Sequence, residues 1–252
     1  MKLYGLIGKT LAHSFSAEYF YRKFIKENIA GCRYDLFPLQ SLNELDGLIR
    51  NNPQLKGFNV TIPFKKTIIP LLDQVDETAR EVQAVNTVCI FRKGDEYWLK
   101  GFNTDVYGFK NSFEIPGNIH KAIILGTGGA AKAVAWSLTS MRIGYLFVSR
   151  NLASENSICY DDLKSEDFYE YQLIINTTPL GMYPDVDSYP PIPYQFIRPG
   201  NILYDLVYNP EITCFLRFGM ERGAKVLNGL RMLELQAEES WKIWKSADYE
   251  SF

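Results

Sequence analysis

Residues 121–150 read KAIILGTGGAAKAVAWSLTSMRIGYLFVSR, and this stretch decides the fold of the chain. It starts with an apolar run of strand length, continues through a glycine-rich loop into a helix-like segment, and ends in a second apolar run. A strand, a crossover helix and a second strand in this order form a βαβ unit, whose two strands are parallel. The stretch therefore predicts a parallel sheet with helices packed on its faces.

The loop of this unit carries a fingerprint for dinucleotide binding. Its glycines follow the GxGxxG/A pattern directly after a strand and directly before a helix, which is the context that makes the pattern specific. The first glycine permits the tight turn, the second lets the backbone approach a pyrophosphate, and the unpaired N–H groups of the helix attract its negative charge. The predicted cofactor loop consists of Gly126, Thr127, Gly128, Gly129, Ala130 and Ala131.

The end of the second strand favours NADP over NAD as the cofactor. An NAD-binding unit of this type has an Asp or Glu at about this position, roughly twenty residues beyond the glycines, to bind the ribose 2′-hydroxyl. This chain has Ser149, Arg150 and Asn151 there. A cation without an acid suits the 2′-phosphate of NADP, although Arg150 is also compatible with an ordinary surface arginine.

Short apolar runs alternate with helix-like segments over the whole chain, which predicts an α/β protein with largely parallel sheets. We place a first domain at residues 1–102 and a second domain, which contains the βαβ unit, at residues 103–230. A last helix at about 230–245 has an apolar stripe, and we expect it to pack back on the first domain, which residues 231–252 then complete. The stripe consists of Leu233, Ala237, Trp241 and Trp244.

Three local patterns refine this organisation. Lys93, Gly94 and Asp95 join two strands of the first domain as a hairpin. The proline-rich residues 183–199 predict a loop. The segment between Arg150 and Leu173 is short for a complete crossover, which predicts an abbreviated helix there.

Composition excludes several classes of function. The chain has 252 residues, of which 46% are hydrophobic and 22% charged, and its 27 Lys and Arg nearly balance 29 Asp and Glu. This is typical of a folded soluble protein with no broad basic field for nucleic acid or anionic lipid. No apolar run reaches the length of a membrane span, and the four cysteines form no CxxC pair. We therefore expect reduced thiols, no metal, a cytoplasmic location and a small-molecule partner.

Small polar residues cluster in four turn-rich motifs of the first domain. The motifs are HSFS at 13–16, NVTIPFK at 59–65, AVNT at 84–87 and GFNTD at 101–105. Several of them follow predicted strands, where ligand sites of parallel α/β sheets form, so together they predict a site for a polyhydroxylated small molecule. Single residues also have a structural alternative as helix N-caps, namely Ser14 or Ser16 for the first helix and Thr104 or Asp105 for the helix after residue 104.

Lys65 and Asp105 are the candidates for proton chemistry in these motifs. Hydride transfer to a carbonyl needs a proton donor for the developing alkoxide, and neither His13 nor His120 stands in a suitable context. A carboxylate partner would hold the Lys65 ammonium in position and stabilise its charge. The alternative is an ordinary salt bridge between Lys65 and Asp105.

With these motifs, the chain resembles the shikimate 5-dehydrogenase family over nearly its whole length. Further motifs support the resemblance in the expected order: NTTPLGM at 176–182, DLVYNP at 205–210 and NGLRML at 228–233, followed by Gln236 and Ala237. The resemblance implies an N-terminal α/β substrate domain and a Rossmann-type NADP-binding domain. It further implies an oxidoreductase that reduces 3-dehydroshikimate to shikimate reversibly with NADPH, in the pathway to chorismate and aromatic amino acids.

The resemblance also implies a role for each site residue. Lys65 and Asp105 are implied as the catalytic pair, and Tyr208 and Met232 are implied to lie near the nicotinamide and the substrate. The residues implied to bind substrate are Ser14, Ser16, Thr61, Lys65, Asn86, Asp105, Tyr208 and Gln236. The residues implied to bind NADP are the 126–131 loop, Ser149, Arg150, Thr177, Leu206, Gly229 and Met232.

The sequence departs from the family pattern in places and leaves alternatives open. Ala17 stands where the family usually has a proline at the first helical turn, and Ser149 and Asn151 replace the usual neighbours of Arg150. One alternative is a quinate/shikimate dehydrogenase that also uses NAD, and another is a non-catalytic NADP-binding sensor. The sequence leaves open whether the protein is a monomer or a homodimer.

Overall fold

The computed structural model describes residues 1–11, 14–150 and 156–247, so His13 and Asn151 lie outside the described residues. The chain divides into two units: unit 1 contains Met1–Tyr107 and Gln236–Phe252, and unit 2 contains Gly108–Leu235. These divisions fall a few residues beyond the boundaries placed at 102 and 230, because each lies inside a helix rather than in a linker.

Unit 1 is built on a mixed six-stranded sheet in the order β2-β1-β3-β5-β6-β4. The strand β1 pairs in parallel with β2 and β3, whereas β5 pairs antiparallel with both β3 and β6. Gly94, in the turn between β5 and β6, has a φ of 62°, a conformation that glycine adopts without strain. The strands are β1 (Lys2–Gly8), β2 (Cys32–Pro38), β3 (Leu55–Val60), β4 (Gln74–Val75), β5 (Thr87–Lys93) and β6 (Glu96–Phe102).

Helices cover both faces of this sheet. Alternate residues of β1 enter different cores: Leu3 and Ile7 pack in one cluster, and Tyr4 and Leu6 in the other. The second cluster also contains Ala237, Trp241 and Trp244, which confirms that the C-terminal helix packs on the first domain. The helices with residues in unit 1 are α1 (Phe15–Lys26), α2 (Leu45–Asn51), α3 (Phe64–Thr67), α4 (Glu77–Val82), α5 (Asp105–Ser112) and α9 (Leu230–Ala247).

Unit 2 is a parallel sheet in the order β12-β11-β10-β7-β8-β9, as the βαβ pattern predicts. Neighbouring residues of β7 again point to opposite cores, Ile123 to one and Ile124 to the other. The strands are β7 (Lys121–Leu125), β8 (Gly144–Ser149), β9 (Ser157–Cys159), β10 (Leu173–Asn176), β11 (Ile202–Asp205) and β12 (Lys225–Leu227), and the remaining helices are α6 (Gly129–Ser140), α7 (Asp167–Glu170) and α8 (Cys214–Met220).

The structure confirms some local predictions and contradicts others. The proline-rich segment is not entirely loop, because Tyr194–Phe196 forms a 3-10 helix. The first helix is capped by Ser14, whereas the first turn of α5 is capped by neither predicted residue: Val106 N donates to Asn103 Oδ1 at 3.2 Å. The predicted abbreviated crossover is confirmed, since α7 has only four residues.

Among the helices that the described residues form, none has a segment both long and apolar enough to span a bilayer.

Candidate active site

Lys65 and Asp105 form an ion pair in unit 1. Lys65 Nζ donates to Asp105 Oδ2 at 2.7 Å. The Asp105 side chain is 8% exposed and the Lys65 side chain 18% exposed, so the pair is largely shielded while the ammonium keeps some access to solvent. A shielded ion pair whose ammonium group remains accessible is suited to donate a proton to a substrate oxygen.

The backbone around Lys65 is held by both the sheet and the core. After β3, Thr61 N donates to Ile7 O at 2.9 Å, which ties the turn to β1. Phe64 is buried at the start of α3, and Val85 N donates to Lys65 O at 2.8 Å. These contacts fix the position from which the Lys65 side chain extends.

Asn86 connects the ion pair to the rest of the site. Its Oδ1 accepts a hydrogen bond from Thr104 N at 2.7 Å, which directs its Nδ2 toward the other partners. Nδ2 donates to Asp105 Oδ1 and to Thr104 Oγ1, both at 2.9 Å. Asp105 is therefore held through one oxygen by Asn86 and through the other by Lys65.

Helix α9 brings Gln236 to the same group of residues. Gln236 Oε1 lies within hydrogen-bond distance of Asn86 Nδ2 at 3.3 Å and of Thr104 Oγ1 at 3.4 Å. The structure thus assembles four predicted site residues from distant parts of the chain: Lys65, Asn86, Asp105 and Gln236.

The predicted carboxylate-binding serines lie at the start of α1. Ser14 Oγ accepts from Ser16 N at 3.3 Å as the N-cap, which leaves the Ser14 hydroxyl proton available for a ligand. Burial raises the pKa of the Tyr34 phenol, while a hydrogen bond with Ser16 acts in the opposite direction. Tyr34 is consequently neutral, and its hydroxyl donates to Asn59 Oδ1 at 2.8 Å. Thr61 is half-buried beside the end of β1, and Tyr208 belongs to unit 2, where it follows β11.

In unit 2 the glycine-rich loop forms an open cradle after β7. Gly126 has a φ of 100°, which strongly favours glycine, and a Cβ there would also make a tight contact with Thr177 Oγ1 at 3.0 Å. A Cβ on Gly128 would meet nothing within 4 Å. Gly128 is also the N-cap residue of α6 and provides no side-chain cap, which leaves N–H groups at the start of α6 for an anion.

The other predicted cofactor residues follow the carboxyl ends of neighbouring strands. Thr177, after β10, donates through its hydroxyl to Leu125 O at 2.6 Å. Gly229, after β12, lies so close to Leu206 that a Cβ would come within 2.1 Å of Leu206 O. Ser149 ends β8, and the exposed Arg150 follows it.

This arrangement fits a dinucleotide with a 2′-phosphate. The backbone N–H groups of the loop and the start of α6 suit the pyrophosphate, and Arg150 provides a cation at the end of β8, where the adenosine ribose is expected. Met232 is 6% exposed and packs in a core cluster of unit 2, so its side chain contributes mainly to packing in this structure.

Asp205 is a buried carboxylate that was predicted only as part of the DLVYNP motif at 205–210. It is fully buried at the end of β11, and this burial raises its pKa to about 7, although three hydrogen bonds act in the opposite direction. Asn176 Nδ2, Val207 N and Thr213 Oγ1 donate to its carboxylate at 2.9, 3.0 and 2.6 Å. Asp205 therefore joins the turns after β10 and β11, close to two predicted cofactor residues.

Known proteins match the chain over its full length. It is 37% identical to shikimate dehydrogenase (NADP(+)) of Clostridium beijerinckii, with 100% of this chain and 94% of the relative covered. It is 38% identical to the enzyme of the same name from Methanococcus maripaludis, with 96% and 91% covered. The chain belongs to the shikimate dehydrogenase family.

The family model described as the shikimate dehydrogenase substrate binding domain matches residues 6–88. Lys65 and Asn86 of this shikimate dehydrogenase family member fall inside the matched range. Asp105 and Gln236 belong to α5 and α9, which lie outside that range.

Solved structures agree with this membership. Shikimate dehydrogenase 1 from Peptoclostridium difficile has a TM-score of 0.84 and 35% identity, with 98% of this chain and 92% of that chain covered. The shikimate 5-dehydrogenase of Thermus thermophilus, in complex with NADP(H) and shikimate, has a TM-score of 0.82 and 29% identity, with 98% and 94% covered. The predicted two-domain fold of the shikimate dehydrogenases is confirmed for this chain.

Proposed function

We propose that the protein catalyses the reversible reduction of 3-dehydroshikimate to shikimate with NADPH. The observation that carries the proposal is the contact between Lys65 Nζ and Asp105 Oδ2 at 2.7 Å in a chain of this family. A protein that only sensed NADP would not need a shielded pair of Lys65 and Asp105 beside the polar side chains that are proposed to bind the substrate. The pair therefore supports catalysis over the non-catalytic alternative.

The substrate is held by polar side chains of unit 1. Ser14 and Ser16 donate hydrogen bonds to the carboxylate, while Thr61, Asn86 and Gln236 contact the ring hydroxyls. A carboxylate at the start of α1 is additionally favoured by the helix dipole. Tyr208 of unit 2 is proposed as a further substrate contact.

Lys65 acts as the general acid in the direction of reduction. NADPH supplies the hydride when it is bound. As negative charge develops on the carbonyl oxygen, Lys65 Nζ donates a proton to that oxygen, and Asp105 holds the ammonium in position. In the direction of oxidation, neutral Lys65 accepts the hydroxyl proton of shikimate.

The cofactor is held by unit 2. The loop at 126–131 and the start of α6 bind the pyrophosphate, Thr177, Leu206 and Gly229 line the site, and Met232 lies near the nicotinamide. Ser149 and Arg150 bind the 2′-phosphate, which selects NADP. We further propose that the enzyme is cytoplasmic. We also propose that it is a monomer or a homodimer, and gel filtration of the purified protein distinguishes these two states.

A single assay tests this function. Purified protein is mixed with NADPH and 3-dehydroshikimate, and the loss of NADPH absorbance is followed, with quinate and shikimate compared in the reverse direction with NADP and NAD. We expect turnover with the shikimate pair and a preference for NADP. Nucleotide binding without turnover would favour the sensor, and equal activity with quinate and NAD would favour the broader dehydrogenase.

A further inference from the structure

We propose that Ser240 of α9 and Thr87 of β5 are positioning residues for the proton transfer. The inference rests on the proposed function and deepens it. Neither hydroxyl is accessible to a substrate, because both residues are 0% exposed. They act through Thr104 and Asn86, which orient the Asp105 carboxylate toward Lys65.

The two hydroxyl groups form the centre of a buried polar cluster. Thr87 Oγ1 lies 2.7 Å from Ser240 Oγ, and Ser240 Oγ donates to Gln236 O at 2.8 Å. Asn59 Nδ2 has two protons, which reach Thr87 Oγ1 at 3.0 Å and Asn86 O at 3.1 Å, and it also lies 2.9 Å from Ser240 Oγ. With its proton donated to Gln236 O, Ser240 Oγ must accept from Thr87.

Thr104 connects this cluster to the ion pair. Its hydroxyl oxygen accepts from Asn86 Nδ2 at 2.9 Å, and its own proton needs an acceptor because the residue is 1% exposed. The nearest acceptor is Ser240 Oγ at 3.2 Å, followed by Thr87 Oγ1 and Asn86 Oδ1, each at 3.3 Å, and by Gln236 Oε1 at 3.4 Å. Ser240 therefore provides the best acceptor for the Thr104 proton.

Loss of the Ser240 hydroxyl would disturb the orientation of Asn86. Both Thr87 and Thr104 would lose an acceptor, and a buried donor without a partner is unfavourable. The Thr104 hydroxyl would then turn toward Asn86 Oδ1 at 3.3 Å, which is nearer than Gln236 Oε1 at 3.4 Å and already accepts Thr104 N at 2.7 Å. Rotation of the Asn86 amide would weaken its hydrogen bond to Asp105 Oδ1, and the carboxylate would no longer be fixed against Lys65.

The cluster also extends toward the proposed carboxylate end of the substrate. Asn59 Nδ2 donates to Asn86 O at 3.1 Å, and Asn59 Oδ1 accepts from the Tyr34 hydroxyl at 2.8 Å. A polar chain thus runs through buried groups from Tyr34, which stacks on Phe20 of α1, to Asp105, with Ser240 and Thr87 in its middle.

The test compares variants that remove a hydroxyl with variants that keep it. Ser240→Ala and Thr87→Val remove the hydroxyl with little change of shape, and Thr87→Ser keeps it. Ser246→Ala is the matched control, because Ser246 lies on the same helix but is exposed, and its hydroxyl donates to Ile243 O at 2.8 Å. We measure kcat and KM for shikimate, the melting temperature, and crystal structures of Ser240→Ala and wild type.

We expect Ser240→Ala and Thr87→Val to lower kcat roughly tenfold, the effect of one disturbed buried hydrogen bond, with KM changed less than about threefold. Thr87→Ser should recover most of the activity, and Ser246→Ala should behave like wild type. In the Ser240→Ala crystal, Lys65 Nζ and Asp105 Oδ2 should have moved beyond hydrogen-bond distance.

Several results would overturn the inference. A kcat within twofold of wild type in both hydroxyl-free variants, with only a lower melting temperature, would leave these residues a purely structural role. Thr87→Ser as slow as Thr87→Val, or an unchanged Lys65–Asp105 distance in the crystal, would also refute it. The crystal distance does not depend on the substrate, whereas a wild-type protein without turnover would refute the proposed function instead.

Discussion

Lys65 and Asp105 of unit 1 are held together by short hydrogen bonds of defined direction. Asp105 accepts from Lys65 on one oxygen and from Asn86 on the other, so its carboxylate cannot rotate without losing a charge-assisted contact. The proton donor is consequently held at a defined place, which is what general acid catalysis requires.

Lys65→Ala should lower kcat by roughly 10² to 10⁴ with a much smaller change in KM, because the variant lacks the proton donor but keeps the carboxylate contacts. Steady-state kinetics with shikimate and NADP measure both constants. Lys66→Ala is the control, since Lys66 is exposed on the same one-turn helix. A rise in KM alone would show that Lys65 only binds the substrate.

Arg150→Ala should weaken NADPH roughly ten- to a hundredfold while leaving NADH nearly unaffected, since only NADPH carries the 2′-phosphate. The measurement is kcat/KM with each cofactor at one ionic strength, because salt screens an exposed contact. Arg217→Ala, at an exposed arginine of α8, is the control. Equal weakening of both cofactors would contradict the assignment of Arg150.

At the scale of secondary-structure elements, α1 links substrate binding to the core of unit 1. Its first turn presents Ser14 and Ser16, and its buried face places Phe20 in a stack with Tyr34, with ring centroids 4.4 Å apart. Lys23 Nζ contacts Glu238 Oε2 of α9 at 2.7 Å and keeps the two helices together. The position of the serines is therefore set by packing along the whole helix.

Ser14 should show two separable effects, because it is both the cap of α1 and a proposed ligand. Ser14→Ala should cost about 1 kcal/mol of stability and raise KM for shikimate. Ser14→Asp retains a good cap but places a negative charge beside the substrate carboxylate, so stability should recover while KM rises further. Thermal melts and steady-state kinetics separate the effects. Normal binding of shikimate by Ser14→Asp would contradict the proposed carboxylate site.

Asp205 should make the stability of unit 2 depend on pH. Its pKa is about 7 in the folded chain, against an ordinary value of 3.8, so the folded state binds more protons between these values. The contribution of Asp205 to stability is therefore fully present below about pH 4 and is lost as pH rises through about 7, by about 4 kcal/mol in total.

Calorimetric melts between pH 4 and 8 test this prediction. Asp205→Asn has the shape of the protonated acid, with one acceptor oxygen and one donor group, and it does not titrate, so it should flatten the pH dependence. Asp187→Asn, at an exposed residue of the same unit, is the control and should leave the slope unchanged. A fall in stability over this range that is equally steep in wild type and Asp205→Asn would refute the raised pKa.

At the scale of the whole molecule, helix α9 packs against β1, the first strand of the chain. Trp244 is 2% exposed, stacks on Tyr4 with ring centroids 4.9 Å apart, and donates through Nε1 to Val88 O at 3.0 Å. Gly57 accommodates the indole, because a Cβ there would come within 2.4 Å of Nε1. The core of unit 1 therefore forms only when β1 and α9 pack against each other.

Trp244→Ala should lower the stability of unit 1 by about 3 to 5 kcal/mol, the usual cost of deleting a buried aromatic side chain. Affinity for NADPH should change little, because the cofactor residues belong to unit 2, which has its own core. Calorimetry and NADPH fluorescence measure the two properties. Trp136→Ala, at a half-buried tryptophan of unit 2, provides the comparison. A parallel loss of stability and NADPH affinity in Trp244→Ala would argue against independent cores.

The sequence by itself determined the features that depend on neighbouring residues. The βαβ unit, the cofactor loop and a cap of the first helix at Ser14 or Ser16 follow from short-range periodicity and from residue types at fixed offsets. Lys65 and Asp105 were also recognisable, because each stands in a polar motif beside a predicted strand or helix.

Only the tertiary structure decided which polar groups face one another. Thr87 and Ser240 are 153 positions apart, and nothing local distinguishes a serine four residues after Gln236 from any helical serine. Likewise, the burial that raises the pKa of Asp205 comes from packing between strands and helices rather than from its own segment. Propensity and periodicity act over a few residues, whereas burial and hydrogen-bond partnership arise when distant segments of the chain exclude water together.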